Sequence, residues 1–186
     1  MPTNLYLVRH AHSTYTPDEL GRPLSDRGFA DALTVTKLLS AEKIDTVYSS
    51  PYKRAMQTVE GIAEYSGKEI KIENAFRERI LSEKPVEDFK AAITRVWGDF
   101  DFHWQGGESN RFSQNRGVKA VMQLLDKHVG ENIVIGTHGN LMVLMMNYFD
   151  DKYGFDFWKD LGMPDIYRLS FDGKKFIDVK WIWGSV

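Results

Sequence analysis

Between Asn4 and Val8 the chain reads Asn-Leu-Tyr-Leu-Val, a short apolar run of strand-favouring residues that predicts a buried strand. From Asp26 to Ser40 the period changes. Phe29, Ala32, Leu33, Thr36 and Leu39 recur at helical spacing, and Ser25 or Asp26 can serve as the N-cap. Ile44 to Tyr48 predicts a second strand, stopped by Ser49-Ser50-Pro51. Pro51 suits the first turn of the next helix, where its missing N–H costs nothing, and that helix runs through Met56 and Ile62 to Gly67. Glu69 to Ile72 reads as a third, shorter strand. Arg111 to His128 predicts a long amphipathic helix closed by Gly130, Asn132 to Ile135 a fourth strand, and Leu141 to Phe149 a buried helix. The last runs, Ile166 to Phe171 and Lys175 to Trp183, flank Asp172-Gly173, a favoured hairpin turn.

Strands alternating with helices predict an α/β sandwich with a mostly parallel sheet, to which the last two strands add an antiparallel edge. The segment from Phe76 to Gly107 breaks the alternation: Pro85 to Trp97 is helical in pattern, and Phe100 to Gly107 is an aromatic, glycine-terminated loop. It is expected to be an insertion on the substrate side of the molecule. A length of 186 residues without repeat or linker fits one domain with a substantial core.

Composition narrows the chemistry. The formal net charge of -2 argues against a nucleic-acid surface, although a local positive pocket is invisible to such a sum. With no cysteine there is no disulfide, thiolate metal site or cysteine nucleophile. The N-terminus lacks a signal-peptide pattern, and Leu141 to Phe149 is far too short to cross a bilayer, so a cytoplasmic protein without a membrane partner is expected.

Open α/β sheets place ligands beyond the carboxyl ends of their strands. The first strand ends in Arg9-His10, and the second in Ser49-Ser50-Pro51 with Arg54 one turn into its helix. The third leads to Phe76-Arg77-Glu78-Arg79, and the fourth ends in Gly136-Thr137-His138-Gly139. Guanidinium forks match phosphate oxygens, and a helix N-terminus adds N–H donors to such a pocket. A neutral imidazole can attack phosphorus, with Arg and protonated His stabilising charge. Glu78 is placed to protonate the departing oxygen.

Taken together, Arg9-His10-Ala11, the block Ser49-Ser50-Pro51-Tyr52-Lys53-Arg54-Ala55-Met56-Gln57-Thr58, Phe76-Arg77-Glu78-Arg79 and Thr137-His138-Gly139 resemble the histidine phosphatase superfamily, the phosphoglycerate mutase-like group. The likeness spans the first three quarters of the chain, in the family's order. It implies a three-layer α/β/α fold, no required metal or other cofactor, and a small phosphorylated substrate. By the same resemblance His10 is phosphorylated, Arg9, Arg54 and His138 hold the phosphoryl group, and Glu78 is the general acid. Ser13 and Thr16 fall where family members carry small polar residues touching substrate or phosphate. Glu108, in Gly106-Gly107-Glu108-Ser109, matches another family motif, with a role in either site or scaffold. Two departures stand out. Ala11 replaces a usual glycine and is expected to crowd the backbone near phosphate or fix an altered turn. Ile80-Leu81-Ser82-Glu83-Lys84 replaces a glycine-rich continuation after Glu78.

Plainer roles are expected elsewhere. His12 lacks companions for a metal site. His103 and His128 are expected at the surface and Lys53 in solvent. Met142, Met145 and Met146 fit a core, and Phe100, Phe102 and Trp104 fit packing within the insertion. The leading function is a phosphomonoesterase; a cofactor-dependent phosphoglycerate mutase and a non-catalytic phospholigand-binding protein are the alternatives.

Overall fold

A computed structural model describes residues 1–185. Its strands are β1 (Thr3–Arg9), β2 (Thr46–Ser49), β3 (Ile70–Ile72), β4 (Asn132–Thr137), β5 (Asp165–Asp172) and β6 (Lys175–Trp181). The helices are α1 (Asp26–Leu39), α2 (Lys53–Tyr65), α3 (Phe89–Gly98), α4 (Asn110–Lys127), α5 (Gly139–Phe149) and α6 (Phe155–Asp160). The sheet order is β3-β2-β4-β1-β5-β6. The first four neighbours in that order run parallel, while β5 and β6 complete the edge antiparallel, as the sequence pattern predicts.

The alternation in β1 explains the layers. Leu5 and Leu7 face a core built with α3, α4 and α5, through residues such as Ile93, Val121 and Leu141. Tyr6 and Val8 face the opposite core, with Val35 and Leu39 of α1 and Val59 and Ile62 of α2. In β4 the split repeats, Ile133 and Ile135 to one side and Val134 to the other. A strand with a period of two that is apolar on both faces must be covered on both, which gives the α/β/α sandwich.

Several boundaries differ from expectation for local reasons. Pro51 lies outside α2: Ser50 Oγ accepts the Tyr52 N–H at 3.2 Å, closing a turn before the helix starts at Lys53. The helix expected from Pro85 begins at Phe89, because Asp88 caps it through the Ala91 N–H at 2.9 Å. Helix α6 has Gly154 at its N-cap and no side-chain cap, so the sequence carried no start signal for it. His128 is buried rather than exposed. Its Nε2 meets the Tyr48 hydroxyl at 3.0 Å and its Nδ1 a Glu131 carboxylate oxygen at 2.8 Å, so its polar atoms are satisfied inside the fold.

Candidate active site

Strand β4 lies between β1 and β2, and the parallel registers align Arg9 with Thr137 and Ser49 with Gly136. The ladders continue one residue further, with His10 N–H donating to the Thr137 carbonyl (3.0 Å) and Ser50 N–H to the Gly136 carbonyl (2.9 Å). His10, Ser50 and His138 therefore leave the sheet together at its carboxyl edge. The rings of His10 and His138 stand edge to face, 5.2 Å between centroids.

The tautomer of His10 follows from its neighbours. Nδ1 lies 2.8 Å from the Ala11 carbonyl oxygen, which can only accept, so Nδ1 carries the proton. Nε2 is left with a lone pair, toward which Arg54 Nε–H points at 3.4 Å. Burial first, then the prospect of sharing the site with a second imidazolium at His138 and with the Arg54 guanidinium, hold the His10 pKa well below 6.5. At neutral pH this is an uncharged imidazole with a defined nucleophilic nitrogen.

His138 is fully buried at the N-cap of α5, with Nε2 2.7 Å from Ser50 Oγ and its ring against Tyr52. Its Nδ1 is buried without a hydrogen-bond partner among the described residues. Burial first, then the charges of Arg54, Arg9 and Arg116, push its pKa well below 6.5, so with only protein around it His138 is neutral. A phosphoryl dianion beside the ring would favour the charged form.

Arg9 is anchored from the far end of the chain. Its Nη1 donates to the carbonyls of Leu161 and Gly162, both at 3.0 Å, while Nε is buried and unpartnered. Asp165 fixes that loop by accepting from Gly162 N–H (3.0 Å) and from Trp181 Nε1–H (2.7 Å). The Arg9 guanidinium lies flat against the start of α5, where a Cβ at Gly139 would sit 2.9 Å from its Cζ. Arg54 is 8% exposed and forks onto Glu19, Nη1 to the carbonyl at 2.9 Å and Nη2 to the carboxylate at 3.2 Å.

Glu78 caps α5. One carboxylate oxygen accepts from Asn140 N–H at 3.0 Å, the other from Leu141 N–H at 3.0 Å and Arg79 N–H at 2.8 Å. The loop that carries it is held by Glu108, whose oxygens receive Arg77 (2.7 Å), Arg116 (2.9 Å), the Ile80 N–H (3.1 Å) and Ser113 (3.2 Å). Arg116 also donates to the carbonyls of Ala75 and Arg77. With four donors on two oxygens, Glu108 braces the loop that carries Glu78, which matches the scaffold alternative expected for it.

A cleft of about 300 Å³ opens beside Arg54, lined by Glu19, Tyr52, Glu78, Arg79 and Ile80 to Ser82. A larger depression of about 530 Å³ along α4 contains neither active-site histidine. Arg79 is 5% exposed, and its Nε and Nη1 have no hydrogen-bond partner. A buried guanidinium costs free energy unless compensated, and the nearby Glu78 and Glu108 carboxylates favour its charged form.

The family model for the histidine phosphatase superfamily (branch 1) matches residues 5–183. The chain belongs to that superfamily. The match includes the C-terminal quarter, beyond the extent legible from motifs, where Leu161, Gly162 and Asp165 hold Arg9. Phosphoserine phosphatase 1 of Hydrogenobacter thermophilus is 32% identical over 149 residues, covering 72% of this chain and 70% of that protein. Phosphoglycerate mutase-like protein 4 of Arabidopsis thaliana is 33% identical over 155 residues, 74% of this chain and 67% of the relative. A mycobacterial glucosyl-3-phosphoglycerate phosphatase shares the fold with a TM-score of 0.78 at 20% identity, over 97% of both chains. This histidine phosphatase is a phosphoric monoester hydrolase.

In this histidine phosphatase His10, Arg9, Arg54 and His138 converge as the strand ends predict, and Glu78 meets them through the start of α5. Ser13 and Thr16 are not hydrogen-bonded to that group: Ser13 pairs by its backbone with Leu24, and the Thr16 hydroxyl donates to the Asp18 carbonyl at 3.0 Å. Ala11 is fully buried, and its N–H donates to Thr58 Oγ1 at 3.0 Å, facing α2 instead of an anion. No described residue other than glycine has positive φ, so the turn at Ala11 needs no glycine. His12 is exposed and bonded to Ser25. Ser50 and Arg79 stood inside the quoted motifs without an assigned role; only the fold shows what they touch.

The two depressed histidine pKa values make stability depend on pH. Above about 6.5 both rings are neutral in folded and unfolded chains alike. As pH falls below that value the unfolded chain takes up protons that the folded site refuses, so stability declines with acidification. With two such rings the slope approaches about 2.7 kcal/mol per pH unit. Urea unfolding at a series of pH values should show the midpoint falling from pH 7 toward pH 5, and less steeply in His138→Gln. A midpoint independent of pH across that window contradicts the neutral assignments.

Proposed function

We propose that this histidine phosphatase hydrolyses a small phosphomonoester in two displacements on His10. In the first, His10 Nε2 attacks phosphorus, the bond from phosphorus to the ester oxygen breaks, and Glu78 gives that oxygen a proton. In the second, water attacks the phosphohistidine while the Glu78 carboxylate takes its proton; the N–P bond breaks and orthophosphate leaves. For both steps the Glu78 carboxyl has to leave the α5 cap and reach the ester oxygen, while Glu108 and Arg116 keep its loop in place. The phosphoryl oxygens fall to Arg54, Arg9 and His138; Arg9 Nε and His138 Nδ1 have no hydrogen-bond partner among the described residues. The start of α5 adds favourable potential.

The observation that carries this reading is the His10 ring. Its proton is committed to the Ala11 carbonyl on one side, and its lone pair stands beside Arg54 on the other. The small cleft and the unpaired Arg79 favour a short ester with a second anionic group, and phosphoserine is the first substrate to test. The segment 76–107 is then the substrate side of a single domain.

Arg54→Ala tests the phosphoryl site. Loss of a guanidinium directed at developing charge should lower kcat/KM for phosphoserine and for an aryl phosphate by about 10²- to 10³-fold. Assays of phosphate release read this directly; a near-normal rate in the variant removes Arg54 from the site. Measuring phosphoglycerate interconversion alongside phosphate release separates hydrolysis from mutase transfer.

A further inference from the structure

Glu19 occupies the guanidinium read above as the phosphoryl clamp. Of the Arg54 nitrogens, Nε faces His10, while Nη1 and Nη2 are both committed to Glu19, one to its carbonyl and one to its carboxylate. The edge of the guanidinium that would fork onto two phosphoryl oxygens thus already holds one carboxylate oxygen and one main-chain carbonyl of the same residue, and the carboxylate is the protein group closest to phosphate in charge and donor demand.

The two partners differ in what separation costs. Arg54 has a side chain only 8% exposed and is desolvated, so it needs an anion. Glu19 has a side chain 59% exposed and returns to water at little cost. A second partner is also at hand. Arg22 Nη2 lies 2.9 Å from the other Glu19 carboxylate oxygen and is itself held by the Thr16 carbonyl at 3.0 Å, so the displaced carboxylate keeps a cation. Glu19 also lines the cleft with Arg79 and Glu78.

We propose that Glu19 is a tethered competitor for the Arg54 clamp, displaced by the substrate dianion and returning to eject orthophosphate after hydrolysis. This rests on the reading of Arg54 as a phosphoryl clamp. A carboxylate on a short loop competes at a fixed, high effective concentration. A dianion outcompetes it more readily than a monoanion does, so Glu19 sets a threshold of charge for entry and keeps product from lingering.

The experiment measures the inhibition constant of inorganic phosphate for the full-length enzyme with an aryl phosphate as substrate. Glu19→Gln, and Glu19→Ala as a second variant, should lower that constant about three- to tenfold, as expected for removing one partly exposed ionic competitor. Asp18→Asn, a neighbouring exposed carboxylate whose side chain is not bonded to Arg54, controls for general charge and should leave the constant near the wild-type value. An unchanged constant in both Glu19 variants, a raised one, or an equal fall in Asp18→Asn overturns the proposal. Arg54→Ala separates the two failures. If it binds phosphate as tightly as wild type, the clamp reading falls and the competitor with it. If it weakens phosphate while the Glu19 variants do not tighten it, only the competitor is lost.

Discussion

Alanine at position 10 should remove catalysis almost completely, with kcat/KM for any phosphomonoester falling on the order of 10⁴-fold or more. No neighbour can replace the ring. His138 is held by Ser50 through Nε2. The effect should be specific to chemistry. Arg54, Arg9 and His138 remain, so the variant should still bind phosphate, and removing an imidazole whose ring bonds only to the Ala11 carbonyl and, at 3.4 Å, to Arg54 Nε–H should not unfold the sheet edge. Steady-state turnover, phosphate binding and a thermal melt on one preparation give the three readings. Residual activity within tenfold of wild type would mean that phosphorus is attacked by something other than His10.

The second large effect belongs to Glu78→Gln, and its size should depend on the leaving group. An alkoxide leaves poorly without a proton, whereas a nitrophenolate leaves well unaided. General acid catalysis contributes about 10²- to 10⁴-fold, so kcat/KM for an alkyl ester such as phosphoserine should fall by that factor. For nitrophenyl phosphate kcat/KM should change little, because that ratio reports only steps through formation of the phosphoenzyme. Its kcat should still drop, since water attack loses its base, and a burst of nitrophenolate should appear. Glutamine keeps one oxygen for the α5 N–H groups, so any loss of stability should stay near that of a weakened cap, about 1 kcal/mol. Equal losses in kcat/KM for the two esters would take the acid role away from Glu78.

The sheet and the rim were readable because their signals are local. Leu5, Tyr6, Leu7 and Val8 announce a strand apolar on both faces, and the polar residues that follow each such strand fall at its carboxyl end by topology alone. What stayed hidden depends on distant partners. Nothing near Arg9 in sequence says that Leu161 and Gly162 hold it, and nothing near Arg54 says that Glu19 occupies it. His128 looked like a solvated helix end because its partner Tyr48 lies 80 residues away. His138 looked like a cation because a motif carries no information on burial; burial first, and then the three guanidinium groups around it, disfavour its charged form. For Glu108 the sequence left site and scaffold open, and Arg77 and Arg116 on its two oxygens favour the scaffold.

The central claim concerns one atom, His10 Nε2, and it can be observed directly. Wild-type enzyme mixed with excess nitrophenyl phosphate, quenched in alkali within the first turnovers and digested, should yield an acid-labile phosphoryl group on the peptide containing His10, and Glu78→Gln should accumulate more of it. A wild-type enzyme that turns over substrate while its phosphoryl group is found on another residue, or on none at any quench time in either protein, would contradict the account.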